Sequence, residues 1–196
     1  MNKLKEILFS KPQNDIANST CDYNLFLAGV GSGKTHEMGI LSAKNVTNFP
    51  EARGLICANT YGQLSKSTLS GVFKVWQEYF GLIEDVHYVV DKKPPVHFSK
   101  KGTRLKDYKN TITFINGAII WVASLDNYTA IDGIEVSYAL LDETKDSKEV
   151  AIKEVIININ NNNVFFANIK VLCYIKPERR ITIVLATNMF AINIDS

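Results

Sequence analysis

The sequence predicts an α/β domain of three layers, in which a mainly parallel sheet lies between helices on both of its faces. Three observations support this prediction. A strand, a glycine-rich loop and a helix follow one another over residues 25–48, a buried strand covers residues 53–59, and an apolar strand at 138–141 ends in two acids. Strands that alternate with helical patterns are typical of parallel sheets. A chain of 196 residues is long enough to bury such a sheet in one domain.

Composition and charge restrict the class of protein. Hydrophobic residues make up 46% and charged residues 21% of the chain, as in ordinary globular domains. The formal net charge of +2 indicates no partner, so any nucleic-acid surface must be a local patch. Cys21, Cys57 and Cys173 form no C-x-x-C pair, which favours a reducing compartment over a metal site. No apolar run approaches the roughly 20 residues that span a bilayer, and no signal-peptide core is present, so we expect a cytosolic protein without a membrane segment.

Residues 28–35 form the loop around which the chain is organised. Their sequence, Ala-Gly-Val-Gly-Ser-Gly-Lys-Thr, directly follows the apolar run 25–27 and precedes a helical pattern. Glycines let backbone N–H groups point at a phosphate, and the helix adds its positive dipole end. Lys34 would reach the β- and γ-phosphates of a nucleotide, and the Thr35 hydroxyl would bind Mg²⁺. The predicted nucleotide site comprises Gly29, Gly31, Ser32, Gly33, Lys34 and Thr35. The alternative is a glycine-rich turn that binds nothing.

The second chemical landmark is a pair of acids, Asp142 and Glu143, that follows the apolar residues 138–141. The carboxyl end of a buried strand is where an open α/β sheet places its ligand crevice. We therefore expect Asp142 to bind Mg²⁺, and Glu143 to orient and deprotonate the water that attacks the γ-phosphate. An acidic helix start is the alternative for an isolated Asp-Glu pair, but the upstream phosphate loop favours the catalytic interpretation.

The remaining local patterns predict two helices and a hairpin. Leu4, Ile7 and Leu8 predict a short helix that ends at residues 10–12. The helix predicted after the second strand has one apolar face, which we expect to pack in the core. Its tryptophan is therefore predicted to be a core residue rather than one that stacks on a nucleic-acid base. This face consists of Leu69, Val72, Phe73, Trp76 and Phe80. Residues 111–122 predict a β-hairpin with a two-residue turn, because its Asn116-Gly117 suits positive φ angles.

The segment between Asp91 and Lys109 is basic, and prolines and a glycine interrupt its regular structure. Its cationic residues are Lys92, Lys93, Lys100, Lys101, Arg104, Lys106 and Lys109. Two interpretations remain open: contact with nucleic-acid phosphates, for which Lys100, Lys101 and Arg104 are the candidates, or a solvated hairpin.

The order of these motifs along the chain is more specific than any one of them. It consists of the loop at 28–35, Thr60-Tyr61, the Asn-Gly hairpin, Ser124-Leu125-Asp126 with Asp132-Gly133-Ile134-Glu135, and the strand with its two acids. From about Gln13 to about Ile156 this order resembles the ATPase half of the large terminase subunit of tailed bacteriophages. The resemblance implies a P-loop NTPase domain of RecA/ASCE type with an inserted β-hairpin. Its implied function is a motor that hydrolyses ATP to move double-stranded DNA into an empty capsid.

The resemblance also implies roles for particular residues and partners. Gln13 matches the adenine-binding glutamine, although a solvated loop glutamine remains an alternative. The run 181–188 is similar to the strand whose polar end, here Thr187 and Asn188, couples hydrolysis to movement. ATP and Mg²⁺ are the implied cofactors. The implied partners are double-stranded DNA, the portal protein, the small terminase subunit and further copies of the chain in a ring, in the host cytoplasm at the procapsid portal.

Three departures from the family are visible. Many terminases place an arginine where this chain has Val30, so a charge-stabilising arginine would come from Arg53, Arg104 or a neighbouring subunit. The Asn-rich stretch at 157–168 is expected to be a loop, an insertion or a damaged segment. The family normally continues into a nuclease domain, so we expect residues 1–196 to be an incomplete ATPase domain that cuts no DNA by itself. A fragment, a split gene product and a truncated copy all remain open.

Two other functions are compatible with the motifs. One is another nucleic-acid-dependent ATPase, such as a helicase motor core, although no second motor domain or strand-separating element is visible in the sequence. The other is an inactive remnant that binds nucleotide and serves only in assembly.

Overall fold

The computed structural model describes residues 6–19, 23–27, 31–99, 105–144, 147–160, 168–173, 182–184 and 191–193. Its strands are β1 Tyr23–Leu27, β2 Arg53–Ala58, β3 Tyr88–Val90, β4 Thr111–Phe114, β5 Ile119–Ser124, β6 Tyr138–Asp142, β7 Asn168–Cys173, β8 Thr182–Val184 and β9 Ala191–Asn193. Within the described residues, the first seven strands form one sheet in the order β1-β7-β6-β2-β5-β4-β3, and β8 pairs with β9 in a separate sheet.

The helices are α1 Lys11–Ala17, α2 Lys34–Asn48, α3 Tyr61–Gln63, α4 Leu69–Phe80 and α5 Glu149–Asn160, with a 3₁₀ helix at Leu125–Ala130. A π-helical turn, Leu64–Thr68, joins α3 directly to α4. We call α3, the π turn and α4 together, residues 61–80, the brace helix. None of the helices among the described residues is both long and apolar enough to cross a bilayer.

The sheet is mainly parallel, as the sequence predicts. β1, β7, β6, β2 and β5 run parallel to their neighbours, and β4 and β3 add antiparallel pairs at one side. β5 belongs to both arrangements, because it is the second strand of the hairpin and also the parallel neighbour of β2. The prediction of a mainly parallel α/β domain with an inserted hairpin is therefore confirmed.

Two cores, one on each face of the sheet, produce the three layers. Successive residues of a strand point to opposite faces. In β2, Ile56 and Ala58 belong to the core that also contains α2 and the brace helix, whereas Leu55 and Cys57 belong to the core that contains α5. All four residues are fully buried.

Close packing between α2 and the brace helix depends on Gly39. A Cβ atom built on Gly39 would lie 2.6 Å from the Cβ of Val75. Next to this contact, Trp76 is fully buried, and its Nε1 donates to the Gly39 carbonyl at 3.1 Å and to the Ser42 hydroxyl at 3.0 Å. The prediction that Trp76 packs in the core is confirmed.

Replacing Gly39 with alanine is expected to lower the free energy of unfolding by about 1–3 kcal/mol, because the added methyl group overpacks the contact with Val75. Gly62 in α3 provides the control, since a Cβ there has nothing within 4 Å. Gly62→Ala should be neutral or should stabilise by up to about 1 kcal/mol, as alanine favours a helix over glycine. Urea unfolding of both variants measures the difference. Equal midpoints would show that α4 can shift away from α2.

The hairpin turn differs from the two-residue turn predicted for Asn116-Gly117. The Gly117 N–H donates to the Phe114 carbonyl at 3.0 Å, and the Phe114 N–H donates to Ala118 at 2.9 Å, so the loop contains three residues. Only Gly117 of the predicted pair has a positive φ, +92°. A type I turn followed by a left-handed glycine is the common three-residue arrangement. Here the Asn116 side chain favours it by donating to the Val46 carbonyl of α2 at 2.6 Å.

The first helix lies after the predicted one. Residues 6–10 are not helical, and α1 begins at Lys11, where the predicted helix ends. Proline is tolerated in the first turn of a helix, because the N–H that it lacks has no partner inside the helix. Ser10 and Gln13 form a capping box around that turn, which sets the start of the helix.

Two predictions for the C-terminal part also differ from the structure. At the ends of the Asn-rich stretch, which is predicted to be a loop, an insertion or a damaged segment, residues 157–160 belong to α5 and Asn168 begins β7, and residues 161–167 lie outside the described residues. Asparagine costs a helix less than about 1 kcal/mol per residue, so a helix anchored by buried Ala151 and Val155 can continue through it. Of the predicted strand at 181–188, the structure describes Thr182–Val184, which is a strand but pairs with β9 outside the main sheet. The strand between β1 and β6 is β7.

Candidate functional site

The carboxyl ends of β1 and β6 define the site. Both strands run parallel to β7, which lies between them, so both end at the same edge of the sheet. The phosphate loop follows β1, and the two acids lie at the end of β6. Of the loop, residues 31–35 are described, and the predicted Gly29 lies outside the described residues.

Two glycines shape the described part of the loop. Gly31 and Gly33 have φ angles of +76° and +84°, in the region that side chains other than glycine rarely adopt. Gly33 caps α2, so the amino end of this 15-residue helix opens directly onto the loop. Space around Gly31 is open, since a Cβ built there meets no atom within 4 Å. The backbone thus has the turn and the dipole that an anionic group requires.

Lys34 and Thr35 occupy the first turn of α2. Lys34 is 8% exposed, and its Nζ lies 3.4 Å from the Ser32 Oγ. Burial raises the pKa of Asp142, and the positive charge of Lys34 opposes part of that rise, so the cation and the acid interact across the site. The Thr35 methyl group packs on the brace helix at Gly71, where an added Cβ would lie 2.6 Å from it.

Asp142 is almost completely buried, with 4% of its surface exposed. Its Oδ2 accepts a hydrogen bond from the Thr68 hydroxyl at 2.7 Å. Burial raises the pKa of Asp142 above its ordinary value, and the neighbouring Glu143 charge raises it further, whereas the Thr68 hydrogen bond and the Lys34 charge lower it. The buried carboxylate therefore carries a cost that a bound cation would offset.

Asp142→Asn is expected to stabilise the nucleotide-free chain at pH 7 by on the order of 1 kcal/mol, because it removes a buried charge. An acid with a raised pKa contributes stability below its unfolded pKa, and this contribution is lost as pH rises through its folded pKa. The advantage of the Asn variant should therefore increase from acidic to neutral pH. Thermal unfolding across that range measures it, with the exposed Asp132→Asn as control. A parallel pH dependence in parent and variant would contradict the prediction.

Glu143 adopts a backbone conformation that is unusual for glutamate, with a φ of +49°. In this conformation its carboxylate accepts a hydrogen bond from the Gln63 Nε2 of the brace helix. Gln63 is the last residue of α3, and its N–H donates at 3.3 Å to the hydroxyl of Thr60, which caps the start of that helix. Non-glycine residues in the left-handed region cluster at functional sites, so the backbone at Glu143 fits a catalytic position.

Gln13 lies against the phosphate loop. It is 8% exposed, so the interpretation as a solvated loop residue is wrong. Its Oε1 accepts from the Ser10 N–H at 3.0 Å and from the Ser10 hydroxyl at 2.8 Å. Its Nε2 would lie 2.8 Å from a Cβ built on Gly33. The capping box of α1 thereby orients the amide toward the loop.

These residues fit a magnesium nucleotide. Mg²⁺ prefers oxygen ligands, and the Thr35 hydroxyl and the Asp142 carboxylate supply them at one edge of the sheet. The open space at Gly31, the amino end of α2 and Lys34 suit phosphates. When bound, Mg²⁺ would neutralise charge that develops on the phosphate oxygens.

Of the other predicted residues, one is described and lies away from this site. Arg53 begins β2, at the opposite edge of the sheet, and lies 3.4 Å from Glu135, so it cannot serve the site of its own chain. Among the DNA-binding candidates, Lys100, Lys101 and Arg104 lie outside the described residues. The same is true of the coupling candidates Thr187 and Asn188.

Sequence reasoning missed Gln63 and Thr68, the two residues of the brace helix that hold the acids. A signal for Thr68 exists, because Leu64, Thr68, Val72 and Trp76 are four apart and all are buried. A hydroxyl in such an apolar stripe needs a partner. Gln63 has a weaker signal, as a polar residue shortly after a strand that ends at the site.

Comparison with known proteins identifies the fold. The large terminase from the thermophilic bacteriophage D6E matches with a TM-score of 0.61 and 16% identity, over 85% of this chain and 39% of that chain. The large terminase ATPase domain of Thermus phage P74-26 matches with a TM-score of 0.57 and 17% identity, over 85% and 64%. The Phi-28 gp11 DNA packaging motor matches with a TM-score of 0.52 and 14% identity, over 82% and 48%.

At these identities the likeness establishes a terminase ATPase fold, which is a P-loop fold, and this chain spans less than two thirds of the length of each of these structures. The D6E protein has also been solved in complex with ATP-γ-S. No curated protein matches the chain. The family model "Terminase large subunit, T4likevirus-type, N-terminal" matches residues 25–163 of the 196. The chain therefore belongs to the family of large terminase subunits of the T4likevirus type, in their N-terminal part.

Proposed function

We propose that this chain is the ATP-hydrolysing motor part of a phage terminase that moves double-stranded DNA into a capsid. The observation that carries the proposal is the meeting of Lys34, Asp142 and Glu143 at one edge of a parallel sheet, beside a helix start shaped for phosphate. Family membership and the likeness to terminase ATPase folds support it. ATP-γ-S in the D6E terminase supports a nucleotide as the ligand of this edge.

Each residue has a role in hydrolysis. Lys34 binds the β- and γ-phosphates and compensates their charge as the bond to the leaving group breaks. Thr35 and Asp142 hold Mg²⁺, and Gln13 contacts the adenine. Glu143 accepts a proton from the attacking water while the oxygen of that water bonds to the γ-phosphorus, and ADP leaves. Because the hydrogen bond from Gln63 occupies only the Oε2 atom of Glu143, the other carboxylate oxygen can accept the proton of the water.

The proposed partners follow from this function. They are double-stranded DNA, the portal protein, the small terminase subunit and further copies of the chain in a ring, and the place of action is the host cytoplasm at the procapsid portal. Thr187 and Asn188 are the proposed coupling residues. A charge-stabilising arginine would come from a neighbouring subunit or from Arg104, since Arg53 lies at the opposite edge of the sheet.

Steady-state ATP hydrolysis with and without linear double-stranded DNA tests the proposal. We expect hydrolysis that requires Mg²⁺ and that duplex DNA stimulates. Measuring hydrolysis by the chain alone, and again after addition of purified portal and small subunit, distinguishes the activity of the chain itself from activity that requires the assembled complex. Nucleotide binding without turnover in every mixture would favour the inactive remnant. Stimulation by single-stranded but not by duplex DNA would favour a helicase-like ATPase.

The basic segment at 92–109 is proposed to contact DNA phosphates without reading sequence. Its described lysines, Lys93, Lys106 and Lys109, are exposed, while Lys92 pairs with Asp85. Neutralising Lys100, Lys101 and Arg104 together should weaken binding to unrelated duplexes equally and reduce the salt slope by up to about three, since each phosphate contact releases roughly one counterion. Lys153→Ala, which removes an ion pair on α5, is the control. An unchanged slope would mean that the three cations face solvent.

A further inference from the structure

The brace helix contacts every residue that the proposed function places around the metal and the attacking water. Gln63 binds Glu143, Thr68 binds Asp142, and Gly71 packs on Thr35. Fewer than ten residues of one helical segment thus contact side chains from the phosphate loop and from β6. The following argument rests on the proposed function, because it concerns how that site is built.

The π turn allows two of these contacts to coexist. Gln63 and Thr68 are five residues apart. In a regular α-helix, residues five apart point about 140° away from each other, since each residue turns the helix by about 100°. A π turn closes its hydrogen bonds between residues five apart, so these residues lie one above the other on the same face. Both side chains therefore reach the end of β6, where Asp142 and Glu143 are adjacent.

The hydrogen bond from the Thr68 hydroxyl to the Asp142 carboxylate is short and buried. Its length of 2.7 Å is typical of a hydroxyl that donates to a carboxylate. Thr68 is fully buried and Asp142 is 4% exposed, so little water competes for either group. Because the donor fixes one carboxylate oxygen, it also fixes the direction in which the other oxygen points.

The C-terminal part of the brace helix is anchored to α2 by Trp76. Trp76 is fully buried and donates from Nε1 to the Gly39 carbonyl and the Ser42 hydroxyl of α2. Since α2 also begins with Lys34 and Thr35, the brace helix is fastened to the same helix that carries the phosphate-binding residues. Thr68 and Gly71, three residues apart, then set the separation between Asp142 and Thr35.

We propose that Thr68 is a positioning residue for magnesium: its hydroxyl holds the Asp142 carboxylate at the distance from Thr35 that a shared Mg²⁺ requires. Gly71 contributes to the same distance, because its contact with the Thr35 methyl group fixes the position of Thr35. Thr68 itself touches neither nucleotide nor metal. Its contribution appears as affinity for Mg²⁺-nucleotide relative to metal-free nucleotide.

The test compares Thr68→Val, which keeps the shape but loses the donor, with Thr68→Ser, which keeps the donor. Binding of a fluorescent ATP analogue to the 196-residue chain is titrated with Mg²⁺ and repeated in excess chelator. Thr68→Val should raise the Mg²⁺ concentration for half-maximal binding about tenfold, the scale of one charge-assisted hydrogen bond, and leave metal-free binding unchanged. Thr68→Ser should restore the parent titration. Thr113→Val is the matched control, because the buried Thr113 hydroxyl has no hydrogen-bond partner among the described residues.

A second measurement needs neither metal nor nucleotide. Thermal midpoints of Thr68→Val, Asp142→Asn and the double variant should be non-additive, because Thr68→Val removes a donor to a charged carboxylate in the parent but only a donor to a neutral amide in the Asn variant. Should Thr68→Val fail to fold, Gly71→Ala replaces it as the test variant. This substitution keeps the hydroxyls of Thr35 and Thr68, but its added methyl group displaces Thr35, so it should also raise the Mg²⁺ concentration for half-maximal binding. Additive midpoints, or an unchanged Mg²⁺ titration in the folded variants, would overturn the positioning role. A parent chain that binds no Mg²⁺-nucleotide would instead contradict the proposed function.

Discussion

Replacing Glu143 with glutamine is expected to reduce ATP turnover by roughly 10²- to 10⁴-fold while nucleotide binding persists. Glutamine keeps the size of the side chain and an oxygen that can accept from Gln63, but it cannot take a proton from water. Lys34, Thr35 and Asp142 remain in place to bind Mg²⁺-ATP. The loss should therefore appear in kcat and not in the affinity measured by calorimetry.

Glu149→Gln is the matched control for this substitution. Glu149 lies in the first turn of α5, where it pairs with Lys153 at 2.7 Å, and both side chains are largely exposed. An exposed pair of this kind is worth less than about 1 kcal/mol, and the same chemical change there should leave turnover unaltered. Hydrolysis by Glu143→Gln at the parent rate would make the acid pair structural and would remove the main support for the catalytic assignment.

Lys34→Ala is expected to weaken nucleotide binding as well as turnover. The substitution removes a cation that faces the β- and γ-phosphates, and hydrogen bonds to charged groups contribute about 1.5–3 kcal/mol each, or roughly 10- to 150-fold in affinity. It also removes a charge that lowers the pKa of buried Asp142, so the metal-binding carboxylate becomes harder to ionise. Both effects act in the same direction.

Lys44→Ala distinguishes this loss from a general effect on α2. Lys44 lies on the same helix, ten residues after Lys34, and its Nζ donates to the Ala17 carbonyl at the end of α1 at 2.8 Å. This variant should lose some stability and keep its nucleotide affinity. Calorimetric titration of the parent and both variants with Mg²⁺-ATP gives the comparison, and equal affinities in Lys34→Ala and the parent would disprove the phosphate role of Lys34.

The placement of the glycine loop and of the two acids at the carboxyl edge of the sheet could be predicted because short, local patterns mark both. A glycine loop between a strand and a helix, and two acids after an apolar strand, carry their chemistry within a few residues. The mainly parallel sheet follows from the alternation of such units. The prediction of a two-residue turn failed because the turn depends on a contact between distant residues. The Asn116 side chain selects a three-residue turn by binding Val46, and no pattern near residue 116 reveals that partner.

The first helix and the two acid-holding residues show other limits. From sequence alone Pro12 predicts the end of a helix, whereas its position after the capping residue Ser10 places it in the first turn of one. Thr68 and Gln63 are five apart, a spacing that ordinary helical periodicity places on different faces. Only a π turn, whose presence depends on packing at both ends of the brace helix, brings them together. A strand such as β7, after the Asn-rich region, has no motif to mark its place in the sheet.

The π turn also determines how the length of this segment can vary between homologous chains. Residues four apart share a face of an ordinary α-helix, so a chain with one residue fewer between positions 63 and 68 would present the same two side chains to the same two acids. The extra residue is absorbed at Ser65 to Ser67, all of which are exposed. A one-residue deletion at this point would therefore leave both contacts to the acids unchanged. In a sequence alignment, the glutamine and the threonine should be matched by these contacts, with a gap between them where the spacing is four residues.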